Sequence, residues 1–240
     1  METINNKYQW QYDEMRFCGV KFDKEEFAQK YDKHHQKFRD YKKETDELIQ
    51  LLAPGSQATV IDMGCGTGAF AIHAASYFRK IYAVDVSQAM IKCTIKKAQQ
   101  ANIDNIEFYH GGFLTYTHTD EPADAVVSKL ALHHLPDFWK QIALRRLAKI
   151  IKPGGKLFLF DVVFSFDYRQ YESYIPEYIQ LMTERLGNEM KQEIDTHFRQ
   201  EYSTFDWIME GMLEKAGFEI NKADYKEGFF ATYLCTKKEK

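Results

Sequence analysis

Residues 62–68 of this 240-residue chain read Asp-Met-Gly-Cys-Gly-Thr-Gly, three glycines at alternate positions directly behind the apolar run Ala58–Ile61. Glycines there let the backbone turn tightly and let a ligand lie against the main chain. If a helix follows, its N-terminus favours a negative group. Asp85 ends the next apolar run, 23 residues after Asp62, where an acid in an open α/β sheet binds both hydroxyls of a ribose. Two patterns compete for the loop. Gly64-x-Gly66-x-x-Ala69 satisfies the dinucleotide fingerprint, which tolerates alanine at its last position, and would imply an NAD-binding oxidoreductase. Asp62-x-Gly64-x-Gly66-x-Gly68 fits the loop better, because its leading acid is poorly placed for a pyrophosphate and suited to a cationic ligand. Downstream, His133, His134 and Asp161 also follow apolar runs and are candidates to accept a proton.

The elements that must position these residues show in the hydrophobic pattern. Ala58–Met63, Ile81–Val86, Ile106–Tyr109, Ala125–Ser128 and Leu157–Val163 are short, continuous apolar runs, as in strands buried on both faces of a parallel sheet. Helical segments alternate with them: 68–79, 88–101 with Ser87 as N-cap, and 137–151 with Pro136 suited to its first turn, ending before Pro153-Gly154-Gly155. This alternation predicts a doubly wound α/β sheet. Before it, Phe27, Tyr31, His34, Phe38, Tyr41, Leu48 and Leu52 share one face of a helix that starts at Asp23 and ends at Pro54-Gly55. After it, 164–202 is too long for a plain connection and should carry its own helices. Thr204 is expected to cap a helix running to Lys215, followed by strands at Phe218–Lys222 and Phe229–Thr236.

Composition narrows the function classes. Hydrophobic residues make up 45% and charged residues 28%, with a formal net charge of −3 and no basic cluster, which argues against a nucleic-acid groove. Cys18, Cys65, Cys93 and Cys235 have neither zinc-site spacing nor the density of a disulfide scaffold. No metal is expected. The first residues lack the apolar run of a signal peptide, and no stretch of 18 apolar residues occurs, so a cytoplasmic protein without membrane insertion is expected.

Motif by motif over roughly residues 58–160, the chain resembles the class I S-adenosylmethionine (SAM)-dependent methyltransferases, in particular the small-molecule branch that includes ubiquinone and menaquinone biosynthesis enzymes. Asp62, Gly64, Cys65, Gly66 and Gly68 resemble the loop that holds the methionine part of SAM. Asp85, Val86 and Met90 resemble the ribose motif. Ser128 opens the motif after the fourth strand, which continues through His133-His134-Leu-Pro136-Asp137, and Lys152-Pro153-Gly154-Gly155 resembles the one before the fifth. The resemblance implies a seven-stranded Rossmann-like sheet, mostly parallel with the last strand antiparallel. It divides the chain into an N-terminal helical lid (1–54), the SAM-binding core (55–163), a helical cap inserted after the fifth strand (164–203) and the C-terminal part of the core (204–240). SAM is the implied cofactor, S-adenosylhomocysteine the product. One departure stands out: the family often has an acid after the third strand that meets the adenine amino group, and Gly112 occupies that place. Adenine is then expected to rest on backbone groups near Gly112 and Phe113 plus apolar packing.

For the chemistry, the resemblance implies transfer of a methyl group to a small, partly apolar or aromatic acceptor by in-line displacement, with His133, His134 and Asp161 as candidate active-site groups. One of the two histidines is expected to be buried and structural. Tyr31 is expected at the cofactor or substrate from the lid, and the aromatic stretch 164–207, Tyr171 and Tyr174 included, is expected to roof the acceptor pocket. A nucleobase target is disfavoured, because Ser128-Lys129-Leu130-Ala131 replaces the Asn/Asp-Pro-Pro-aromatic motif of that group. A non-catalytic or modified-SAM-binding protein is the alternative. The motifs do not indicate an oligomeric state.

Overall fold

The structure, a computed structural model, describes residues 10–16, 18–19, 28 and 39–239. Its sheet runs β3-β2-β1-β4-β5-β8-β7, with the two-residue β6 beside β5. The strands are β1 (Thr59–Met63), β2 (Lys80–Asp85), β3 (Ile106–His110), β4 (Ala123–Lys129), β5 (Ile151–Phe164), β6 (Thr204–Phe205), β7 (Phe218–Lys226) and β8 (Phe230–Lys237). Strands β1 to β6 pair in parallel, and β8 runs antiparallel to both β5 and β7. This is the expected α/β architecture with the last strand reversed. The small β6 is an addition to the expected seven strands.

Burial on both faces follows from alternation along the strands. Ile61, Met63, Tyr82, Val84, Leu157 and Leu159 join one apolar cluster, whereas Val60, Ile81, Ala83 and Phe158 join the other. The covering helices are α1 (Tyr41–Leu52), α2 (Ala69–Ala74), α3 (Gln88–Gln100), α4 (Asp137–Ile150), α5 (Tyr171–Leu186), α6 (Asn188–Gln200) and α7 (Asp206–Ala216). Ser87 caps α3 by accepting from the Met90 N–H at 3.2 Å, as its position foretold. Strand order reverses between β1 and β4, so a crevice opens at the carboxyl ends of these strands.

Three local expectations need correction. The stripe from Phe27 to Leu52 is not one uninterrupted helix. Asp40 is extended and accepts from the Lys43 N–H at 3.0 Å, so α1 starts there; the part of the stripe at 29–38, with Tyr31 and His34, lies outside the described residues. Thr204 caps nothing. It pairs within β6, and its hydroxyl donates to Asp137 at 3.1 Å, leaving Phe205 as the residue before α7. Pro136 precedes α4 as its N-cap instead of sitting in the first turn.

Candidate active site

The glycine loop joins β1 to α2 around three left-handed residues, Gly64, Gly66 and Gly68. Two of these glycines serve packing: a Cβ on Gly64 would strike the Ala131 side chain, and one on Gly68 the Thr94 side chain. Gly66 differs. A Cβ there would meet no protein atom within 4 Å and would point into open space. Asp85, at the end of β2, props the loop by accepting from the Gly66 N–H at 2.8 Å and, on its other oxygen, from the Ser87 N–H at 2.8 Å. A carboxylate has about four acceptor positions, so Asp85 can still take two hydroxyl donors. The cavity over the loop has a volume of about 860 Å³ including its mouth. Gly64, Gly66, Asp85, Val86, Met90, Gly112 and Phe113 line one side, and Tyr12, Cys18, Leu130, His134 and Leu135 lie on its wall as well.

Behind that wall is a charge-paired histidine cluster. The 3₁₀ turn Leu132–His134 after β4 is clamped by Asp161 of β5, which accepts from the Leu132 N–H at 2.8 Å and the His133 N–H at 3.2 Å. Asp161 also pairs with His133 Nδ1, and Glu201, just after α6, stands 3.4 Å from His133 Nε2 and pairs with His197. Burial alone would keep His133 neutral, but Asp161 and Glu201 outweigh it and push its pKa up to about 9. The His134 ring lies 4.2 Å from that cation. Burial, reinforced by the His133 charge, pushes His134 down to about 3. One imidazole is therefore held charged and internal, and its neighbour is held neutral on the cavity wall. His133, His134 and Glu201 also bring ligand-type atoms within 4.8 Å of one another, a metal-capable grouping that linear spacing did not reveal. Both nitrogens of His133 face carboxylates, Nδ1 pairing with Asp161 and Nε2 standing 3.4 Å from Glu201.

Residues 60–155 match the family described as Methyltransferase domain. An uncharacterised methyltransferase of Geobacillus kaustophilus is 26% identical over 203 residues, covering 83% of this chain and 88% of the relative. A demethylmenaquinone methyltransferase of Listeria monocytogenes is 24% identical over 209 residues, covering 80% and 84%. Among solved structures, a SAM-dependent methyltransferase from Clostridium acetobutylicum superposes with a TM-score of 0.66 at 15% identity, over 89% of this chain and 98% of the other, and shares the fold. The chain carries a methyltransferase domain and is a SAM-dependent enzyme with the fold of the class I methyltransferases. The methyltransferase's own residues fit the cofactor. The space in front of Gly66 is one that a side chain would fill, and the buried Asp62 Oδ2 has no hydrogen-bond partner. Burial, opposed by Lys129, pushes the Asp62 pKa up to about 7, so a cationic ligand nearby would favour its ionised form.

The structure separates the residues singled out from sequence into wall and support. Gly64, Gly66, Asp85, Val86, Met90, Gly112, Phe113 and His134 line the cavity. Asp62, Cys65, Gly68 and Ser128 lie behind it, where they shape the loop and the strand ends, and His133 and Asp161 hold the turn that carries His134. Tyr31 is outside the described residues. The expected aromatic roof is a correction: none of residues 164–202 lies on the cavity wall. Several of their rings pack against each other and against Phe229 instead. Phe166 stacks on Tyr174 at 4.9 Å, Phe164 on Phe198 at 5.6 Å and Tyr178 on Phe229 at 3.8 Å, while Tyr171 is 54% exposed. The wall expected from the cap comes instead from Tyr12, Glu14, Arg16 and Cys18. Trp10 and Tyr12 rest on Trp139 of α4, and the Tyr12 hydroxyl donates to the His134 carbonyl at 3.3 Å.

Proposed function

We propose that the methyltransferase acts on a small acceptor with an aromatic ring whose nucleophile, a hydroxyl, approaches the His134 end of the cavity. The observation that carries this reading is the placement of a neutral imidazole on the same cavity wall as the cofactor cradle. SAM, when bound, supplies a methyl group made electrophilic by its sulfonium. The protein's part is to orient the acceptor and keep water out, effects that can be worth about 7–11 kcal/mol together with avoided solvent reorganisation. Tyr12, Phe113, Leu130 and Leu135 offer a ring apolar and aromatic surface. His134, a weak base at a pKa of about 3, orients the incoming hydroxyl by accepting its hydrogen bond, and receives the proton only once the oxygen–carbon bond has formed and made that oxygen strongly acidic. His133, held by Asp161 and Glu201, fixes the turn that aims His134. A relative that carries demethylmenaquinone in its name supports an aromatic acceptor.

Incubation with SAM and a panel of phenols, naphthols and aromatic amines, with S-adenosylhomocysteine measured by mass spectrometry, tests the proposal. Turnover is expected with a ring hydroxyl and should fall about tenfold in His134→Ala, the scale of one lost orienting hydrogen bond. Turnover that survives His134→Ala unchanged, or that occurs only with amines, would refute it.

A further inference from the structure

We infer that the Glu14 carboxylate is the acceptor for the exocyclic amino group of the SAM adenine. The assignment rests on the cofactor reading and concerns the one recognition element missing after β3. Glu14 is 7% exposed, yet it lies on the cavity wall. Its Oε1 is saturated, accepting from the Leu114 N–H at 2.8 Å, the Thr115 N–H at 2.6 Å and the Thr115 hydroxyl at 2.7 Å. Its Oε2 accepts nothing from the described residues. That second oxygen occupies a defined corner, 2.7 Å from the point where a Cβ on Gly112 would stand, with Val86 Cγ1 at 2.6 Å from the same point. A side chain at 112 and the carboxylate of Glu14 therefore exclude one another, which accounts for the glycine.

The cavity dictates which part of the cofactor meets this corner. The cavity wall runs from Asp85 at the end of β2 to Val86, Met90 and the Gly111–Phe113 loop after the neighbouring β3, so a base attached to a ribose held by Asp85 would meet this corner. Adenine brings one strong donor, its amino group. The backbone here already has partners: the Gly112 N–H donates to the Thr115 hydroxyl at 2.9 Å, the Gly112 carbonyl accepts from the Tyr116 N–H at 2.9 Å, and the Phe113 carbonyl from Arg146 at 2.9 Å, so a charged oxygen with no donor among the described residues is the stronger acceptor. Oε2 of Glu14 remains. Burial raises the Glu14 pKa, and a donor on Oε2 would favour the ionised form. The same segment carries Tyr12 and Cys18 against His134, so the cofactor's base and the acceptor wall are linked through residues 10–18.

Calorimetric titration with S-adenosylhomocysteine and with S-inosylhomocysteine, whose 6-oxo group turns a lone pair towards Oε2, tests the assignment. Wild-type protein should prefer the adenosyl compound by at least about tenfold, the scale of one charge-assisted hydrogen bond. Glu14→Gln keeps the volume and can keep the three bonds on its amide oxygen while presenting an N–H to the cavity, so the preference should collapse or reverse. Equal binding of the two compounds by wild type would overturn the inference without use of any variant, as would an unchanged preference in a folded Glu14→Gln protein. If wild type binds neither compound, the cofactor reading itself fails and takes this inference with it.

Discussion

Replacing Asp161 with asparagine probes the histidine cluster through its pH dependence. In the folded protein His133 is held at about 9, with burial opposing and Asp161 and Glu201 prevailing. Relative to an unfolded value of about 6.5, that rise corresponds to roughly 3 kcal/mol of stability. The sign follows from which state keeps the proton. Below pH 6.5 both states are protonated and the contribution is complete; between 6.5 and 9 the unfolded chain has lost its proton while the native state retains it, so stability drains away; above 9 nothing remains. Asp161 is depressed by His133 against the effect of burial, so its contribution is lost instead as pH falls. An asparagine preserves the shape but removes the charge, and its NH₂ faces donors that the carboxylate accepted, among them the Val162 N–H at 2.7 Å. Urea unfolding followed by circular dichroism at pH 6, 7.5 and 9.5 should show Asp161→Asn destabilised by about 3 kcal/mol at pH 6, with the deficit shrinking at pH 9.5. A deficit equal at all three values would show that Asp161 acts only as a neutral acceptor for the turn, and the charged-His133 reasoning would fail.

Further predictions concern the cofactor cradle and the cap. Asp85→Ala should weaken S-adenosylhomocysteine binding by about 1.5–3 kcal/mol in calorimetry, the value of hydrogen bonds to a charged group. Gly66→Ala should cost about 1–2 kcal/mol of stability from its left-handed backbone, although its Cβ meets no protein atom, and should abolish measurable cofactor binding while near-UV dichroism stays native-like. Asp62→Asn should raise stability at pH 8 by up to about 4 kcal/mol and near pH 4 by almost nothing, because a buried carboxylate with a pKa of about 7 destabilises the native state as pH rises; melting temperatures across this range check it. Tyr174→Ala should lower the melting temperature by removing its stack on Phe166 while leaving cofactor affinity intact, a result that separates cap packing from the cavity wall.

The α/β alternation, the loop from Asp62 to Gly68, Asp85 and the pair His133-His134 were legible in the chain itself. Each depends on local physics: the period of burial along a strand, the freedom of glycine at positive φ, the distance from one strand end to the next. What each histidine does was not legible. Adjacent in sequence, they acquire opposite charge states because Asp161 and Glu201, 28 and 68 residues away from His133, converge on one ring and leave the other beside the cavity. The aromatic stretch misled for a related reason, since a helical stripe records that rings will be buried but not against what, and here they bury one another. Glu14 had no period and no motif around it. Only the packing of the N-terminal segment on α4 and the loop after β3 brings its carboxylate to the empty place beside Gly112, because contacts between residues a hundred positions apart are set by how surfaces fit and not by any local repeat.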